Sequence, residues 1–173
     1  MFEKIKYWSF NKALRKLLST VPTSGKEEIR INYIQTYMIL FDGTDPSTRD
    51  HFIKIQEHFP PHTVKLLAFV QSDSDVEVFN MALYNNKDLQ WNFTPKQNIT
   101  DLVQSHQCDM LIHINPQQYP HLHYLAVAAK ALFKTSTLSH FPNDFNLEVN
   151  SGDEKSQGKI YEQIMALIKT LSA

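Results

Sequence analysis

Apolar residues at Tyr7, Phe10, Leu14, Leu17 and Val21 recur at alternating steps of three and four, with Ala13 and Leu18 flanking them. This spacing predicts an amphipathic helix from Met1 to about Val21. Lys12, Arg15 and Lys16 project from the opposite side, and at about 100° per residue Trp8 falls among them rather than with the apolar stripe. Pro22, Ser24 and Gly25 then read as a short linker.

Beyond the linker the pattern changes to short apolar runs separated by helical spacings. Ile29 to Phe41 is rich in β-branched and aromatic residues and ends in the nearly continuous run Tyr37 to Phe41, which suits a strand covered on both faces. Asp45 followed by Pro46 opens a helix whose Phe52, Ile55 and Phe59 share a face, and Pro60 and Pro61 end it. Val64 to Val70 predicts a second strand and Leu89 to Phe93 a third with period-two alternation. Asn98 or Thr100 caps a brief helix carrying Leu102 and Val103, and Met110 to Ile114 forms a fourth strand. A Leu- and Ala-rich helix is expected from about Gln118 to Leu132, a fifth strand from Phe133 to Leu138 and a sixth at Leu147 to Val149. Ser151 and Glu154 have capping-box spacing ahead of a last helix, with Ile160, Ile164, Leu167 and Leu171 as its buried stripe.

Strands alternating with helices predict an α/β fold: a doubly wound, Rossmann-like, mainly parallel sheet of five to six strands preceded by the amphipathic helix. The expected organisation is a basic helix and linker over residues 1–25 and an α/β domain over residues 26–173.

Charge separates these two parts. Residues 1–30 hold seven basic side chains against three acidic ones, a net +4, so the overall −1 leaves −5 on the remainder. No stretch approaches the roughly 18–20 consecutive apolar residues of a membrane span, and a signal peptide's apolar core and cleavage site are missing, so a cytoplasmic location is expected. The single cysteine, Cys108, precedes an apolar run and is expected to pack as a small hydrophobe.

A doubly wound sheet places ligands outside the carboxyl ends of its strands. The residues expected there are Asp42, Gln71, Asn92 and Asn115. The loop Asp42-Gly43-Thr44-Asp45 carries one glycine and two carboxylates, so it offers a phosphate no row of backbone N–H groups. Dehalogenase-type phosphatases need a second aspartate where this chain has Thr44. Neither the Walker pattern nor G-x-G-x-x-G occurs, and no serine sits in a G-x-S-x-G elbow. His113, inside the fourth strand, reads as a hydrogen-bonded core residue. His121 and His123, two apart on a helix, diverge by about 200° and cannot share an ion. No catalytic residue, metal or cofactor is therefore expected.

A basic N-terminal helix, the strand ending "YMILFDG", the block "KDLQWNF", the strand "DMLIHIN" and the segment "AKALFKTST" together resemble an uncharacterised domain-of-unknown-function family of small Bacteroidota proteins. That resemblance implies a cytosolic α/β protein and carries no activity with it. The reading that follows is a non-enzymatic interaction or adaptor protein docking through Trp8, Lys12, Arg15 and Lys16 on a protein partner or a second copy. A membrane surface is a further candidate, and the acidic body argues against nucleic acid. The alternative is a small-molecule binder or transferase for a nucleotide or nucleotide sugar at the strand ends.

Overall fold

The computed structural model describes residues 2–21 and 34–171. The expected linker at Pro22, Ser24 and Gly25, and the part of the first strand placed at residues 29–33, lie outside them. Six strands, β1 (Tyr37–Asp42), β2 (Val64–Val70), β3 (Ala82–Asn85), β4 (Cys108–Ile114), β5 (Ala131–Thr137) and β6 (Leu147–Val149), form one all-parallel sheet in the order β3-β2-β1-β4-β5-β6. This is the doubly wound order, reversing between β1 and β4.

Helices α2 (Pro46–Glu57) and α5 (Gln157–Leu171) cover one face, where Phe41, Phe52, Ile112, Ile160 and Ile164 share a core. Helices α3 (Gln97–Ser105) and α4 (Pro120–Ala128) cover the other, over Leu40, Phe69, Leu111 and Leu122. A further helix, α1 (Phe2–Thr20), lies outside α4 and buries Phe10 and Leu14 against Val127 and Phe141. This third layer explains why α4 is apolar almost all round: sheet and α1 enclose it from opposite sides, so eight of its nine residues are buried.

The Asp45 cap stands where the sequence placed it, its carboxylate accepting from the Ser47 N–H at 2.9 Å with Pro46 first in the helix. Several expectations are corrected: α3 begins at Gln97 behind Lys96, so neither Asn98 nor Thr100 caps it, and the helix expected from Gln118 to Leu132 runs over Pro120–Ala128, with Leu132 in β5. The third strand is Ala82–Asn85, which pairs with the last four residues of β2, while Leu89 to Phe93 forms a loop closed by Gln90 N–H donating to the Thr94 carbonyl at 2.8 Å. Its alternation was misleading because Trp91 points outward and Phe93, at φ 66°, turns onto Tyr7 of α1. Helix α5 starts at Gln157, because Ser151 and Glu154 close a turn through Gly152 at φ 57°. From that start the buried stripe runs Ile160, Ile164, Ile168, and Leu167 and Leu171 face outward.

Candidate functional site

The strand order reverses between β1 and β4, so the crevice at their carboxyl ends is where this fold holds ligands. Side chains of the protein itself occupy it. Pairing between β1 and β4 stops at Phe41 and Ile114, which leaves the Asp42 peptide groups on that side without a ladder partner. The Gln157 amide takes both, accepting from Asp42 N–H at 2.9 Å and donating to the Asp42 carbonyl at 2.7 Å. The Asp42 carboxylate turns back to accept from the N–H of Thr44 at 3.0 Å and its hydroxyl at 2.6 Å. The Thr44 hydroxyl oxygen in turn accepts from Gln71 N–H at 2.9 Å.

Gly43 serves packing here. A Cβ on it would stand 2.7 Å from the Ala68 Cβ, and its carbonyl accepts from the Arg49 guanidinium.

Asn115 is also spent locally. Its side chain accepts from Tyr119 N–H at 2.8 Å and donates to the Tyr119 carbonyl at 2.9 Å, fixing the turn into α4, while its own N–H donates to the Thr137 hydroxyl at 3.1 Å. Asn92 lies elsewhere: its amide nitrogen donates to Ser9 of α1 at 3.1 Å, so it fastens the first helix to the loop after β3. The structure thus brings Asp42 and Gln71 together through Thr44, and puts Asn92 outside the group.

Beside them stands an aromatic set that the sequence reading did not single out. The hydroxyl of Tyr84, on β3, is hydrogen-bonded with His121 Nδ1 at 2.9 Å, and the His121 ring stacks on Tyr119 and packs against Phe69. Burial pushes His121 down to about 3, and burial with the nearby Asp42 charge holds the Tyr84 hydroxyl well above its ordinary value. Both groups are therefore neutral at physiological pH. The adjoining cavity, lined by Asp75, Tyr84 and Asn85 among others, measures about 140 Å³. Small-molecule sites run to roughly 300–1,000 Å³.

A second polar cluster lies under α4. His113 Nδ1–H donates to the Ser136 hydroxyl at 2.8 Å, and that hydroxyl donates onward to the Thr137 carbonyl, so Nε2 of His113 is unprotonated and has no partner. His123 donates from Nε2 to the Pro142 carbonyl at 2.9 Å and accepts at Nδ1 from Ser139. Lys134 reaches Val127 O and Asp144, each at 2.8 Å. Desolvation lowers the pKa of His113, His123 and Lys134, that of His123 to about 4. Cys108 is buried with its thiol pushed up to about 12, which suits packing and not nucleophilic attack. Among the described residues no three His, Cys, Asp or Glu side chains gather to hold a metal.

A cavity of about 500 Å³ opens at the amino ends of the strands, between Phe59, Pro61, Val64, Ala82 and Leu102. It exists because β3 starts opposite Leu67 and leaves the first residues of β2 uncovered. The misplaced third strand hid it from the sequence.

The model of a family described as "Family of unknown function (DUF6913)" matches residues 6–171. The chain belongs to DUF6913. No curated protein and no solved structure matches it.

Besides that cavity, a candidate surface of this DUF6913 chain is α1. Its Phe10–Leu14 stripe is fully buried, Tyr7 rests on Phe93 with ring centroids 5.2 Å apart, and Trp8 is left 66% exposed. Lys12, Arg15 and Lys16 are exposed with it, the Lys12 ammonium lying 5.6 Å from the Trp8 ring. Among the described residues no helix is long and apolar enough to cross a membrane.

Proposed function

We propose that this protein is a non-enzymatic docking protein of the cytoplasm whose contact surface is the outer face of α1. One observation carries the reading. The helix has already spent its apolar stripe on its own domain, and it still presents a large aromatic side chain with three cations and no acid beside them. An exposed tryptophan gives up apolar area to water without any folding benefit, and such residues dominate the binding energy of contact surfaces.

The strand-end crevice supports this from the other side, since one oxygen of the Asp42 carboxylate is taken by Thr44 and the Asn115 amide by Tyr119, groups that would otherwise meet a nucleotide or nucleotide sugar. The ligand-binding alternative at the strand ends rests on the place of Asp42, Gln71 and Asn115 in the fold, and the cavity of about 500 Å³ lies at the opposite, amino ends of the strands. Fold alone is weak warrant.

The test compares the wild-type chain with a variant carrying Trp8→Ala, Lys12→Glu and Lys16→Glu. All three positions are exposed, so the melting temperature is expected to stay within a few degrees. The wild type is expected to migrate in native cell extract as part of a larger assembly, and the variant on its own. Migration of the wild type as a free monomer, in soluble and membrane fractions alike, would sink the proposal. A thermal-shift screen with nucleotides and nucleotide sugars is expected to give no shift, and a saturable one would favour the alternative.

A further inference from the structure

We infer that the outer face of α1 docks on an anionic lipid bilayer, with Ile5 and Trp8 entering the headgroup layer and Lys4, Lys12, Arg15 and Lys16 meeting the lipid phosphates. This rests on the reading of α1 as the docking surface and names what it docks on.

Helical geometry sorts the residues. At about 100° per residue, Ile5, Trp8, Lys12, Arg15 and Lys16 fall in one broad sector opposite Phe10 and Leu14. Glu3, the helix's single acid, falls on the domain side. The outward sector is therefore cationic without internal neutralisation, and Ile5 is 48% exposed within it.

The interleaving of apolar and basic side chains decides between partners. A groove in another protein prefers apolar anchors in one stripe, and any ammonium group carried in with them has to be paired in place at a cost in desolvation. Here the outward apolar side chains Ile5 and Trp8 are flanked by Lys4 and Lys12, the Lys12 ammonium lying 5.6 Å from the Trp8 ring, so neither kind can be buried alone. A bilayer surface accommodates both at once, with ring and aliphatic atoms at the acyl boundary and the flexible basic stems extending to phosphate level.

Charge distribution adds orientation. The remainder of the chain carries −5 against +4 for residues 1–30, so a negative surface attracts α1 and repels the body behind it.

The experiment uses the full chain and two kinds of vesicle, phosphatidylcholine alone and an equal mixture of phosphatidylcholine with phosphatidylglycerol. In a Trp91→Phe background Trp8 is the remaining fluorophore of its kind, and its emission should shift to the blue on the mixed vesicles only. Each neutralised cation weakens partitioning roughly five-fold, so Lys12→Gln with Lys16→Gln should cost about 25-fold. Added salt should release the protein, and Trp8→Phe should retain binding that Trp8→Ala loses. Equal binding to both vesicle types, or none to either, overturns the lipid assignment. If neither vesicle binds but the triple surface variant still leaves a larger assembly, docking by α1 stands and only its lipid partner falls. If no assembly exists either, both fall.

Discussion

Gln157 forms a cyclic amide pair with the backbone of Asp42, bridging 115 positions of sequence and closing the crevice where the strand order reverses. The first residue of α5 thereby completes the ladder of the central strand at the one place where β4 no longer supplies partners. A site that other doubly wound folds leave open for a ligand is here part of the hydrogen-bonded core.

Replacing Gln157 by Leu keeps the volume and removes both bonds. Because two buried backbone groups lose their partners, the substitution is expected to cost about 1–3 kcal/mol, measured by urea unfolding. Gln157→Leu and Gln157→Ala should be similarly destabilising if the amide matters more than its bulk. A Leu variant as stable as wild type would show that the pair is incidental.

Helix α1 makes a paired prediction. Phe10→Ala removes a fully buried ring from the contact with Val127 and Phe141 and should cost about 3–5 kcal/mol. Trp8→Ala, two residues away, should change stability by no more than about 0.5 kcal/mol. Equal costs would mean that the helix has not divided its faces between domain and solvent.

Much of this division was legible in the sequence, because the three-four spacing of Phe10, Leu14 and Leu17 fixes a face whatever it packs on. The core strands were legible for a similar reason: Tyr37 to Phe41 is a continuous apolar run, and Met110 to Ile114 is one interrupted by His113 alone, which only a two-sided layer can cover. Strand β3 was not, because four residues at a sheet edge carry too little pattern to compete with the alternation of Leu89, Trp91 and Phe93. The state of the candidate site was least legible. Asp42, Gln71 and Asn115 were correctly placed near strand ends, but their partners, Gln157, Thr44 and Tyr119, are set by tertiary geometry, and a hydrogen bond across 115 positions leaves no local signal.

Lys134 and Asp144 form an ion pair at 2.8 Å with the lysine head nearly inaccessible, 5% exposed against 16% for the aspartate. Lys134→Met alone leaves the Asp144 carboxylate, one of whose oxygens already lacks a partner, without its counter-charge. A loss of about 3–5 kcal/mol is expected, and the double variant Lys134→Met, Asp144→Leu should recover most of it. No recovery would show that the lysine acts chiefly through its bond to the Val127 carbonyl.

The three buried histidines predict where the fold gives way to acid. In the native state burial holds His113 well below its ordinary value, His123 near about 4 and His121 near about 3, so all three are neutral when folded. In the unfolded chain each titrates near roughly 6.5. Above that pH neither state binds the protons and the full stability is present; as pH falls below it, the unfolded state takes them up first and stability declines until the native pKa is reached. Each histidine contributes a slope of roughly 1.4 kcal/mol per pH unit in this window, so over about two units the three together remove roughly 8 kcal/mol, within the range of about 5–15 kcal/mol of a typical stability. Urea midpoints measured stepwise from pH 7 to pH 4 should fall steeply, and His123→Gln, which retains a polar group for Pro142, should flatten the slope by one proton's worth. Stability that stays level between pH 6.5 and 4.5 would mean that the histidines are protonated in the native core, contrary to their hydrogen bonding.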